Sequence, residues 1–230
     1  FKKSPQDAAV LTLTVALPNY AALGLPILGS VLGEGSSTSL SVAVSIACGS
    51  VLMTPFCLLI LEREKARSAG ENVGSTLTML PVLMWRSVKK PIVWGPLLGV
   101  VLSALGVRMP ELVLSAIKPL GLAATAAALF LTGVILSARQ LKLNAVVGVG
   151  TVAKLLIQPV IAWGLVLALG LNGSVAITAI LMIALSAGFF GVVFGNRFGV
   201  QSPDAEAVLL LSSVLSILSL PLFITLTSGM

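Results

Sequence analysis

Residues able to do chemistry inside an apolar environment fall in two main places in this chain. Lys154 and Gln158 stand four residues apart in "VGTVAKLLIQPVIAW", with Pro159 directly after them. On a helix such a pair shares one face, so the ammonium and the amide act together. Pro159 removes a backbone donor beside them. By helical rise Lys154 lies about 13 Å into its apolar run. That is deeper than a lysine stem covers by snorkelling. A charge at such depth costs on the order of 3 kcal/mol and reads as an anion-attracting or coupling group facing a cavity. The second place is "ALPNYAALGLPILG", residues 16–29, where Pro18, Asn19, Gly24 and Pro26 interrupt an apolar helix. Pro18 frees the carbonyl of Thr14 and Pro26 that of Ala22. Asn19 offers an amide to a carboxylate, directly or through water. Freed backbone groups in hydrocarbon are costly unless they face protein or a water-filled cavity, so a mid-depth break points to a ligand site.

The elements carrying these residues follow from composition. The chain has 230 residues, is 57% hydrophobic and only 10% charged, with a mean hydropathy of +1.09. An ordinary soluble domain is roughly a quarter charged, so this is an integral membrane protein of all-α class. The absence of histidine excludes His-based acid–base work and His metal ligation, and no metal or cofactor is expected. The net charge of +6 is spread between apolar runs, which reads as membrane topology and not as a nucleic-acid face. Cys48 and Cys57 are nine residues apart and point to opposite sides of a helix, which argues against a bridge.

Seven apolar runs are long enough to span a bilayer, at 7–32, 38–61, 91–106, 113–136, 144–169, 174–196 and 205–228. Lys2, Lys3, Arg63, Lys65, Arg67, Arg86, Lys89, Lys90, Arg139, Lys142 and Arg197 fall on one side, against Arg108 and Lys118 on the other. The crowded side is cytoplasmic by the positive-inside rule, which puts the C-terminus outside. Asp7, Glu34, Asp204 and Glu206 lie at span ends, where they cap or solvate. The connection 63–90 reads as a basic cytoplasmic linker.

Residues 16–31, "ALPNYAALGLPILGSV", match residues 184–199, "ALSAGFFGVVFGNRFG", in their Ala-Leu start, small centre and polar end. The span after each carries a late proline, Pro55 and Pro221. The matching spans are an odd number of crossings apart, so the copies run in opposite directions, as in inverted-repeat carriers. Segment 91–230 would then be a complete five-span repeat, with scaffold helices over 91–137 and transport helices over 144–230. Segment 1–62 would be the last two spans of the first repeat. Three further spans are expected before Phe1, giving ten. The second copy breaks at Ser186, Ala187 and Gly188, with Gly191 also read as a break residue, and Gly191, Gly195 and Gly199 continue at close-packing spacing. Two such breaks meeting at mid-depth turn half-helix N-termini toward a common point and favour an anion.

"LPNYAALGLPIL", "VAKLLIQPVI" and "MIALSAGFFGVVFGNRFGV" resemble the auxin efflux carrier family, and the detail around Tyr20 resembles its bacterial malonate transporters. The resemblance covers essentially the whole chain. It implies ten spans in two inverted five-span halves, with a crossing domain moving against a scaffold. It further implies that Asn19, with Pro18 and Tyr20, holds the substrate carboxylate at the crossing, with Lys154 and Gln158 nearby. Ser186-Ala187 stand where plant members have Pro-Gln, so the second break is softer here. The expected function is secondary transport of a small organic anion, malonate or a related dicarboxylate, in a bacterial inner membrane, coupled to H⁺ or Na⁺, with homodimer formation open. The alternatives are a sodium-coupled symporter of the bile-acid type and a non-transport scaffold subunit. An enzyme is not expected.

Overall fold

A computed structural model describes residues 4–33, 36–49, 59–63, 67, 85, 91–137 and 143–230. The late proline Pro55, the partner cysteine Cys57, and the linker apart from Arg63, Arg67 and Trp85 lie outside the described residues. Among the described residues the ordered elements are helical. They are α1 (Pro5–Ala16), α2 (Leu25–Leu32), α3 (Ser36–Cys48), α4 (Pro91–Ala104), α5 (Glu111–Ser137), α6 (Ala145–Val152), α7 (Gln158–Ala168), α8 (Gly173–Ala184), α9 (Phe190–Arg197) and α10 (Pro203–Thr227). Two wide π turns, Tyr20–Gly24 and Ala153–Ile157, lead directly into α2 and α7.

Local chemistry sets these boundaries. Ser4 caps α1 by accepting from the Asp7 amide at 3.1 Å, and Pro5 opens the helix. Asn144 and Ser202 cap α6 and α10 in the same way. Each π turn is followed two residues later by a proline, Pro26 or Pro159. A proline cannot donate to the carbonyl four residues back, so the ladder widens there instead of closing. Pro26 thus lies at the second position of α2, past the break and not in it. Gly24 closes the π turn.

Ala145–Ala168 (24 residues) and Pro203–Thr227 (25 residues) are continuous helical stretches long and apolar enough to cross a membrane. Helical rise makes each about 36 Å long. Apolar side chains on α5, such as Leu112, Leu120, Leu122 and Phe130, are exposed, as are Trp94, Leu98 and Val101 on α4. An aqueous surface does not accommodate so much bare apolar helix; hydrocarbon does.

The buried side chains form two apolar clusters. One joins Val10, Leu13 and Leu17 of the first segment to Val147, Val192, Phe194, Val208 and Leu209. The other joins Leu28 and Val42 to Val166, Ile180, Leu181, Leu185, Leu220 and Phe223. A layer of buried polar residues accompanies them: Thr14, Asn19, Thr151, Lys154, Ser186 and Ser212.

Candidate functional site

The helical path is interrupted at 17–19, between α1 and the first π turn, and at 185–189, between α8 and α9. Both interruptions are extended, with Leu17 at φ −95°, ψ 111° and Leu185 at φ −58°, ψ 153°. They pair as a one-step antiparallel bridge between Pro18 and Ala187. The Asn19 amide donates to the Ser186 carbonyl at 3.0 Å, and the Gly188 amide donates to the Leu17 carbonyl at 2.7 Å. Gly188 also reaches the Thr14 carbonyl at 3.3 Å, the very group that Pro18 deprives of its donor. Each break therefore supplies hydrogen bonds that the other lacks.

Glycine at 188 is a steric necessity. A Cβ there would lie 2.5 Å from the Leu17 oxygen and 3.2 Å from that of Pro18. Gly191 lies inside α9, which corrects its reading as a break residue. A Cβ at 191 would overlap Thr14 Oγ1 and come within 2.5 Å of the Val10 carbonyl. Its role is to let α9 lie on α1, as the glycine spacing predicts. Gly195 repeats that contact against Val10.

Lys154 and Gln158 do meet on one face. Lys154 Nζ donates to Gln158 Oε1 at 2.9 Å and to the Ile183 carbonyl at 2.9 Å. Gln158 Nε2 in turn donates to the Val15 carbonyl at 3.1 Å. The lysine is fully buried. Its nitrogen meets the end of α8 directly and reaches the end of α1 through Gln158.

Asn19 and Ser186 sit on the paired strands themselves, 4% and 0% exposed. Asn19 Oδ1 and Ser186 Oγ have no hydrogen-bond partner among the described residues. Buried polar atoms are nearly always satisfied, so two unsatisfied side-chain oxygens side by side on bridged segments single this place out as the candidate site. Tyr20 follows at once, opening the π turn, with its ring half-buried against the Leu28–Phe223 cluster. Five of the residues expected at the crossing (Pro18, Asn19, Ser186, Ala187 and Gly188) are thus brought together.

One contributor was missed by sequence reading. Ser212, on α10, accepts the Ala187 amide on its Oγ at 3.1 Å, and its own hydroxyl donates to the Leu209 carbonyl at 3.1 Å. The pair "SS" within "LLLSSVLSIL" was its only signal.

Broken helices whose backbones satisfy one another within an apolar bundle are the feature by which membrane carriers build a site at mid-depth. The family profile described as "Membrane transport protein" matches residues 1–224, so the chain belongs to this auxin efflux carrier-like family of membrane transporters. Relatives from Escherichia coli K12 and Shigella flexneri, both called "Uncharacterized transporter YfdV", are 27% identical to it over 224 residues. The match covers 97% of this chain and 69% of each relative. The protein is an integral membrane protein of a transporter family.

Proposed function

We propose that the protein is a secondary carrier of a small organic anion, malonate or a related dicarboxylate, working by alternating access around the bridged breaks. The observation that carries this reading is the Pro18–Ala187 bridge, with buried, unpartnered Asn19 Oδ1 and Ser186 Oγ beside it. The Tyr20 and Phe190 ends of the following half-helices lie next to the same breaks. Helix N-termini carry roughly half a positive charge each and leave amide hydrogens free, which suits a carboxylate. A serine hydroxyl can donate and Asn19 Oδ1 accepts. That combination fits a half-protonated dicarboxylic acid, which brings one O–H and one carboxylate.

In this reading the seven apolar runs cross the membrane, 1–62 and 91–230 belong to two inverted halves, and the basic connections face the cytoplasm of a bacterial inner membrane. The segment around α4 and α5 acts as scaffold, and the bridged helices move with α3, α6, α7 and α10. The exposed apolar faces of α4 and α5 are consistent with that division. Uptake of labelled malonate into vesicles containing the full-length protein tests the proposal. The expected result is saturable uptake, reduced roughly 5- to 150-fold by Asn19→Ala, since losing a substrate hydrogen bond with a buried partner costs about 1–3 kcal/mol. No uptake of malonate or of any other dicarboxylate overturns the substrate, and unchanged uptake by Asn19→Ala overturns the site.

A further inference from the structure

Lys154 is wholly buried, and its two hydrogen-bond partners among the described residues are neutral oxygens, Gln158 Oε1 and the Ile183 carbonyl. A buried ammonium without compensation is unstable, so its counter-charge must be sought in the backbone. Ile183 is the penultimate residue of α8, and Val15, which accepts from Gln158, is the penultimate residue of α1. Both carbonyls are free for the same reason. In an unbroken helix they would accept from Ala187 and Asn19, but those amides donate instead to Ser212 Oγ and the Ser186 carbonyl. Each helix C-terminus carries roughly half a negative charge. Two such ends sum to about one, which a single ammonium cancels. The register that lays residues 16–31 on 184–199 also lays Val15 on Ile183, so the Lys154–Gln158 pair reaches equivalent points of the two copies.

We infer that Lys154 is a resident cation: with Gln158 as its extension, it straps together the C-terminal ends of both broken helices, where an alkali-metal ion would otherwise be needed to face such carbonyls. It is a positioning residue, and its charge is spent on the protein, so the crossing is held without a bound metal cation. The consequence for transport rests on the carrier reading above. The strap itself does not, and stability and uptake report the two separately.

The test is thermal unfolding of the purified full-length protein in detergent, with chloride salts of methylammonium, sodium and choline at matched concentration. Lys154→Ala should lower Tm by roughly 5–15 °C, the scale for one partner lost from a buried charged network in a protein of this size. Methylammonium, small enough to refill the space, should recover at least half of that loss, whereas choline should not. Gln158→Leu should lower Tm without any methylammonium response. The wild type should unfold at the same temperature in sodium and in choline. A Lys154→Ala protein with wild-type Tm, one that methylammonium does not recover, or a wild type stabilised by sodium over choline overturns the inference. Should Lys154→Ala yield no folded protein, Lys154→Arg and Lys154→Met decide: the arginine must restore folded yield and the methionine must not, and equal yields overturn it. Malonate uptake run in parallel bears only on the carrier reading, because absent wild-type uptake leaves the stability results standing.

Discussion

Two of the described segments, 17–19 and 185–189, leave the helical path and bridge to each other, and the two breaks have different causes. At the first, Pro18 forces Leu17 out of the helical region and removes the donor for the Thr14 carbonyl. At the second there is no proline. Leu185 turns extended with Ser186 after it, a residue that imposes nothing comparable. That break is held from outside itself. Ser212 takes the Ala187 amide, Lys154 takes the Ile183 carbonyl, and Asn19 and Gly188 pair it to the first break. One interruption is imposed by covalent structure and the other by neighbours that give each freed backbone group a better partner than the next turn would. A protein built this way has one arm bent by its own proline and one arm whose shape depends on assembly.

The sharpest way to break the contrast is Gly188→Val, which drives a side chain into the carbonyls of Leu17 and Pro18. Backbone atoms cannot give way as side chains do, so the bridge and the fold should fail together. The expected outcome is loss of the monodisperse peak in size-exclusion chromatography of detergent extracts. A folded, active Gly188→Val protein would mean that the bridge is dispensable.

Next in size is Ser212→Ala, which strands the buried Ala187 amide. An unpaired buried donor costs about 1–3 kcal/mol. For a protein of this length that is a Tm fall of roughly 2–10 °C. If the second break were as self-sufficient as the first, the substitution would leave Tm unchanged.

A smaller change is expected from Pro26→Ala. Pro26 is exposed, follows the π turn, and lies outside the bridge. A restored amide could close onto the Ala22 carbonyl, so Tm should move by no more than about 2 °C in either direction. A large loss would place Pro26 in the break after all.

The difference itself can be read with no folded protein. Peptides spanning 4–33 and 173–200, each in detergent micelles, should differ in Cα chemical shifts. The first should keep a non-helical step at Leu17 and Pro18, and the second should run as helix through 185–189, because its outside partners are gone. Two broken peptides, or two unbroken ones, would end the comparison.

Much of this molecule was legible in the residues. The apolar runs at 144–169 and 205–228 became the long helical stretches Ala145–Ala168 and Pro203–Thr227, since hydropathy and helical period are local properties. The break at Pro18–Asn19 was legible because proline acts on its own four-residue neighbourhood. The shared face of Lys154 and Gln158 followed from their spacing. Gly191 and Gly195 announced a close helix contact before α1 was known to be the helix that uses it.

Where Lys154 points could not be read. An ammonium at mid-depth suits a substrate anion or a pair of helix ends equally well, and only packing brought the Ile183 carbonyl to 2.9 Å and, through Gln158, the Val15 carbonyl to 3.1 Å. The same holds for Ser212, whose hydroxyl gains its meaning from an amide 25 residues away. The sequence by itself determined an apolar helical chain, a first helix broken by proline, and a lysine–glutamine pair on one face of an apolar helix. The tertiary structure decided what holds the second break open and the partner of the buried lysine, because carbonyls and amides are present at nearly every position and only three-dimensional placement selects those left without a helical partner.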